Sequence, residues 1–314
     1  MKTTPLTAFA SISALAALSA IAWLPAAAFA QKFEAQTIDA KVAIGYGLAI
    51  GDVDGDGKPD VLLADKREIV WYENPEWKRH IMAKNLTTLD NVCIAARDLD
   101  GDGKVEVACG AMWNPGETDD PAKSGSLHYL IRPGGDPRGA WQPVRIQPHD
   151  PTVHRMHWAR LGDGKWGLAV APLHGRGNRG GKGENGARLQ VYPLPADPAD
   201  GSAWKPATLS ERMHATHNFD VIPAESGAEA FALAGAEGIQ QVKAGCLRRH
   251  RTRFGSTRRN MARRAQARCG SVESEGDVCR IEPMHGNELV VYSPADGGGW
   301  KRSVLIDSMN QGTR

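Results

Sequence analysis

Four times along the chain the same order recurs: a run of β-prone residues, a Pro/Gly/Asp turn, a tryptophan and a second run. The copies are EIVWYENPEWKRHIM (68–82), SLHYLIRPGGDPRGAWQPVRI (126–146), RLQVYPLPADPADGSAWKPATL (188–209) and ELVVYSPADGGGWKRSVLI (288–306). Two of them follow another related pair of runs, GLAIGDVDGDGKPDVLLA (47–64) and VCIAARDLDGDGKVEVACGA (92–111), each a hairpin around an Asp-rich turn. A unit is therefore four short strands, and it cannot bury its own sheet faces. Neighbouring units must stack, which predicts an all-β chain, a β-propeller of four-stranded antiparallel blades with about five recognisable. The tryptophans Trp77, Trp141, Trp204 and Trp300 are 64, 63 and 96 residues apart, by subtraction of their positions. The last gap has room for a unit without its tryptophan, and EGIQQV (237–242) supplies that unit's third strand. A β-sandwich would leave the tryptophan recurrence unexplained.

Residues 1–30 stand outside this pattern. Met1-Lys2, the apolar stretch from Leu6 to Leu24 and the small-residue end Ala28-Phe29-Ala30 read as a cleaved secretory signal. The propeller then occupies 31–314 in the periplasm or outside the cell. A retained membrane anchor is the competing reading; Pro25 and the small-residue site favour cleavage, and no later stretch is long and apolar enough to span a bilayer. Five cysteines give no even framework of disulfides.

Residues 244–280 break the repeat. They hold ten Arg against three acidic residues and show neither strand nor helix periodicity, so the chain's net charge of +2 conceals an otherwise acidic protein. The Arg/Ala/Gly/Ser/Cys composition resembles GC-rich coding sequence read out of frame, and blade-like sequence resumes at Ile281. The expectation is a pair of compensating frameshifts; a basic polyanion-binding loop is the alternative. Without this segment nothing points to nucleic acid. The chain stops at NQGTR, inside what reads as another unit, so later blades are expected to be lacking.

In GDVDGDGKPD, Asp52, Asp54, Asp56 and Asp60 occupy positions 1, 3, 5 and 9 of a turn, Gly57 sits at the bend, and the Lys58 carbonyl comes at position 7. Asp98, Asp100, Asp102, Gly103, Lys104 and Glu106 repeat the arrangement. Hard oxygens converging on one flexible loop suit Ca²⁺, whereas without a cation the carboxylates repel one another. An EF-hand is excluded, because position 12 is Leu63 or Cys109 and the flanks are strands. The expected role of Ca²⁺ is structural. A third copy, RLGDGKWG (160–167), keeps Asp163 alone.

These two turns, D-x-D-x-D-G-x-x-D in form, resemble the calcium turns of FG-GAP/VCBS-repeat secreted β-propellers, and the resemblance extends over most of 40–242 and 281–310. RMHATHNFDVI, IEPMHGNELVVY and SMNQG are similar to the propeller part of aldos-2-ulose dehydratases, which are sugar lyases, and their bacterial relatives. That second likeness implies a carbohydrate-acting lyase, though no cupin-like region follows here.

The histidines can be placed from blade topology alone. In an antiparallel meander the start of strand one lies at the end opposite the strand-one-to-two turn. His154, His157, His214 and His217 precede or open strand one of units three and four, while His174 and His285 fall in matching strand-two-to-three connections. All six are expected on the face opposite the aspartate turns, around one mouth of the central channel. His157, His174, His217 and His285 form the candidate catalytic set; His154 and His214, taken singly, read as ordinary polar residues at strand ends. Arg155, Arg160 or Arg212 could recognise anions or hydroxyls, Asp220, Glu282 and Glu288 could orient imidazoles, and Trp113 and Trp158 could stack on a sugar ring. Two mechanisms fit a β-elimination from a keto sugar. In one, Zn²⁺ or another transition metal held by imidazoles polarises a carbonyl; in the other, metal-free histidines move the protons. The contrasting class is a non-catalytic propeller that binds a glycan or a protein.

Overall fold

A computed structural model describes residues 36–162, 164–180, 182–244, 278–282, 288–294 and 300–306. The leader, the basic segment from 245 to 277, His285, Asp163 and the NQGTR end lie outside the described residues.

The hydrophobic runs become strands where the repeat requires them. The first sheet is β1 (Gly47–Gly51), β2 (Asp60–Ala64), β3 (Glu68–Glu73) and β4 (Lys78–Lys84), hydrogen-bonded in chain order. The second is β5 (Cys93–Arg97), β6 (Glu106–Ala111), β7 (Ser126–Ile131) and β8 (Gln142–Ile146), and the third is β9 (Val153–Arg160), β10 (Trp166–Pro172), β11 (Leu189–Pro193) and β12 (Ala207–Ser210). A fourth holds β13 (Thr216–Ile222), β14 (Ala230–Gly235) and β15 (Gly238–Lys243), and a fifth holds β16 (Val278–Glu282), β17 (Glu288–Pro294) and β18 (Trp300–Ile306). All pairings are antiparallel, and EGIQQV is the third strand of its sheet. The first strands lie side by side in the order β1, β5, β9, β13. This is the packing of successive propeller blades around their inner strands, and the chain is an all-β propeller.

The blades are held by cores between them. Trp158, Met156, Tyr192 and Trp204 of blade three pack with Cys93, Ala108 and Leu127 of blade two. Trp71 and Met82 of blade one pack with Ile94, Val107 and Trp141 of blade two, and Ala159 and Leu189 of blade three with Phe219 and Phe231 of blade four. The repeated tryptophan has a local cause as well. Trp141 and Trp204 are buried, and their indole N–H groups donate to Pro137 O (2.9 Å) and Pro198 O (3.2 Å) in the turn that precedes each. The ring seals the blade interface while its polar edge closes the turn. Trp77, at a positive φ of 56°, is only partly buried, and the side chain of Trp300 is outside the described residues.

Close approach of the inner strands requires glycine at one point. A Cβ on Gly47 of β1 would lie 2.7 Å from the Cys93 Cα of β5, so any side chain there would push blades one and two apart. Cys93 and Cys109 are buried free thiols, and burial pushes Cys93 up to about 12, which removes it from thiolate chemistry.

Candidate functional site

The Asp-rich turns link β1 to β2 and β5 to β6, at one end of their blades. Gly57 and Gly103, at φ values of 84° and 85°, provide the left-handed bend. In the first turn Asp52 accepts from the amides of Gly55 (2.6 Å) and Gly57 (2.8 Å), and Asp98 does the same for Gly101 (2.7 Å) and Gly103 (3.0 Å). Carboxylate oxygens of Asp52, Asp54 and Asp60 come within 4.8 Å of one another, as do those of Asp98, Asp100 and Glu106. Asp56 and Asp102 instead accept from the backbone amides of Lys58 and Lys104, both at 2.8 Å, and are not members of these triads. The Lys58 side chain reaches Asp56 at 2.7 Å, and Lys104 is 3.9 Å from Asp102.

In each triad the carboxylates crowd one another. Burial, reinforced by Asp54 and Asp52, raises the Asp60 pKa; burial, reinforced by Asp100 and Asp102, pushes Glu106 up to about 7. In the first turn Arg138 of blade two reaches Asp54 at 3.1 Å and offsets part of this charge. The donor set is all oxygen, converging from three carboxylates in each turn, so the residues fit a calcium-sized hard cation. The turns also meet: Val105 N donates to Asp52 O at 2.8 Å, joining blades one and two at this end.

Blades three and four do without such a carboxylate triad among the described residues. At the corresponding end, Glu229, 2% exposed, takes a bidentate pair of hydrogen bonds from Arg97, both 2.9 Å. It also accepts the Arg160 amide at 2.7 Å, and the Arg97 guanidinium lies 4.4 Å over Trp166. An internal ion pair thus fastens blades two, three and four where the sequence pattern had lost its acidic turn.

The histidines gather at the other end. His154 stacks on Trp113, centroids 5.0 Å apart at 24°, and meets His217 at 5.0 Å and 57°. Trp113 lies in the β6–β7 connection, so blades two, three and four each contribute one ring. The backbone explains the meeting. On β9, Arg155 pairs with Ala171 and Val153 with Pro172, leaving His154 unpaired; on β13, Thr216 pairs with Gly235 and Asn218 with Ala234, leaving His217 unpaired. Both histidines are therefore the extra residue of a β-bulge one step into an inner strand, the device that re-aims a side chain out of the regular pleat. The blades are also zipped here: His174 bridges Ala215, and Thr216 N donates to Leu173 O at 2.9 Å.

The remaining histidines separate. His157 lies within β9, edge-on to Phe219 at 4.9 Å, with Nε2 4.0 Å from Asp220. His214 points to Glu237, Nδ1 to Oε1 at 2.6 Å. Burial lowers the pKa of His157 and His174, and drives His154 down to about 2, so these rings are neutral at pH 7. Nδ1 of His154 and Nδ1 of His174 are buried with no protein hydrogen-bond partner. A buried polar atom left unpaired is uncommon and calls for an explanation. No three of these histidines bring their ring nitrogens within 4.8 Å of one another among the described residues. His154, set aside from the sequence as an ordinary strand-end residue, is the centre of the group. The matching signal was position rather than spacing, since His154 and His217 are each the second residue of an inner strand.

Residues 36–109 match the family described as FG-GAP-like repeat. This stretch is an FG-GAP-like repeat region. It spans blade one with its aspartate turn and the first hairpin of blade two with the other. No curated protein matches the chain. Solved structures similar to it include BBS1N in complex with ARL6DN, at 12% identity over 87% of this chain and 73% of that one, with a TM-score of 0.46. PQQ-bound aldose sugar dehydrogenase from Streptomyces coelicolor aligns at 10% identity over 84% of both chains, with a TM-score of 0.37. The mitotic checkpoint complex gives 15% identity over 90% of both, with a TM-score of 0.34. The propeller assignment rests on the sheets themselves.

Proposed function

We propose that this FG-GAP-repeat propeller is an exported, calcium-stabilised protein that takes a sugar at the Trp113–His154–His217 mouth and catalyses a β-elimination from it. The observation that carries this reading is the meeting of two bulged histidines, His154 stacked on Trp113 and His217 tilted against His154. A flat aromatic face suits a sugar ring, a neutral imidazole can accept a proton, and a protonated one can donate it. His157, neutral and 4.0 Å from Asp220, is suited to remove the proton next to the substrate carbonyl. The C–H electrons form the new double bond as the neighbouring C–O bond breaks. His217, entering the step as the imidazolium, gives its proton to the leaving hydroxyl, which departs as water, and returns to the neutral ring. His154, buried and neutral, can hold a substrate oxygen but is poorly suited to act as a base. His174 and His285 complete the candidate set on sequence placement. Metal-free proton transfer is preferred to Zn²⁺ here, because the ligand spacing that Zn²⁺ requires is not met by the described histidines.

Ca²⁺ would be held by Asp52, Asp54 and Asp60 in one turn and by Asp98, Asp100 and Glu106 in the other, stiffening the inner hairpins from the far end. The test of function is a panel of keto and acidic sugars, followed for both binding and formation of the unsaturated product, with wild-type protein, His217→Gln and His157→Gln. Product formed by wild type and lost at least a hundredfold in either variant, with binding retained, supports the lyase. Binding without product, abolished by Trp113→Ala, would establish a glycan-binding propeller instead.

A further inference from the structure

We propose that Arg155 is an anion-binding residue and that the sugar taken at this mouth carries a carboxylate. The inference rests on the sugar reading above and narrows its substrate class.

Arg155 sits directly after the bulged His154 and two residues before His157 on β9. Residues two apart on a strand project to the same side, so Arg155 shares the side on which His157 meets Phe219 and Asp220 of β13. It is half-buried, and among the described residues its guanidinium makes one hydrogen bond, from Nη1 to the His154 carbonyl at 2.9 Å. No carboxylate among the described residues lies within ion-pair distance of it. Two other half-buried arginines are treated differently by the fold: Arg97 is clamped by Glu229, and Arg188 by Asp150. Arg155 is left with most of its five N–H donors unspent.

The surroundings compound this. Burial lowers the pKa of Arg155 itself, and after burial the Arg155 charge is a further cause that holds His154 and His157 neutral. Arg155 is therefore a cation beside neutral imidazoles, and the nearby carboxylates are placed against histidines rather than against it: the 78% exposed Asp220 against His157 and Glu237 against His214. A partly desolvated guanidinium without a counter-charge is costly unless an anion completes it, and its planar fork matches a carboxylate in bidentate geometry. A uronic acid would supply that group on the same molecule whose ring meets Trp113. A sugar carboxylate neutralised by Arg155 would also make the adjacent C–H more acidic, at the position from which His157 would take a proton.

The experiment is isothermal titration calorimetry of the full chain with galacturonate, galactose and acetate, using wild type, Arg155→Met and Arg155→Lys, each checked for unchanged melting temperature. A charge-assisted pair predicts galacturonate binding about tenfold or more tighter than galactose in wild type. That advantage should vanish in Arg155→Met and be recovered only in part by Arg155→Lys, with galactose affinity unchanged within about threefold. Equal binding of the acid and the neutral sugar, or an Arg155→Met variant that weakens both alike, overturns the inference and leaves the sugar reading standing. Arg155-dependent binding of acetate with no gain from the sugar ring keeps the anion site and removes the sugar. Absence of binding by all three ligands overturns both.

Discussion

Replacing Glu229 by alanine should be among the most damaging single changes on the aspartate-turn face, although it touches neither a turn nor a histidine. The carboxylate is 2% exposed and accepts three hydrogen bonds, two from the Arg97 guanidinium at 2.9 Å and one from the Arg160 amide at 2.7 Å. Removing one partner of a fully buried ion pair costs roughly 3–5 kcal/mol, because the other charge is left unpaired. The Arg97 side chain is 35% exposed, so water can partly replace its partner, and the expected loss falls to about 3 kcal/mol. With a urea m-value on the order of 3 kcal/mol/M, the unfolding midpoint should drop by about 1 M. Glu229→Gln keeps the shape and one acceptor, and should lose about half as much. The double-mutant cycle with Arg97→Ala isolates the pair, and a coupling of about 2 kcal/mol is expected. A coupling below about 0.5 kcal/mol would show that blades two to four are held by their hydrophobic seams alone, and the clamp would be incidental.

Other consequences follow from the same structure. Calorimetric titration with Ca²⁺ should resolve two sites, with Asp52→Ala and Asp98→Ala each removing one; an unchanged titration in both variants would end the calcium proposal. Trp204, fully buried between blades, should cost about 3–5 kcal/mol on truncation to alanine, read by denaturant unfolding. His128 is buried, and burial holds its pKa down at about 4 against an ordinary value near 6.5. The unfolded chain therefore takes up the proton first as pH falls. Stability should be full above pH 6.5 and drop by about 1.4 kcal/mol per unit toward pH 4, and His128→Gln should flatten that slope. Edman sequencing of exported protein should start near Gln31; a mature chain beginning at Met1 would contradict the signal-peptide reading.

Much of the propeller was readable in the chain because its blades are local objects. Each strand pairs with its sequence neighbour, so β periodicity and turn chemistry fix the sheets, and even the third strand of a unit without its tryptophan could be placed. The aspartate triads were nearly as legible, since their ligands lie within nine residues and the loop is closed by its own glycines. Even there, Asp56 and Asp102 close local turns on the amides of Lys58 and Lys104 two residues on instead of joining the triads, a choice that the D-x-D-x-D spacing does not show. The histidine mouth was different. Equal spacing in HRMH and HATH does not reveal that His154 meets His217, each the second residue of its inner strand and the extra residue of a bulge. A bulge is a choice between strands rather than a property of one, and residue order does not encode it visibly. The same holds for Glu229: its partner Arg97 is 132 residues away in sequence. The chain by itself determined the blades and their turns, which depend on neighbours in sequence. Packing between blades decided which rings meet, which charge replaces the third turn, and which arginine has no carboxylate beside it among the described residues.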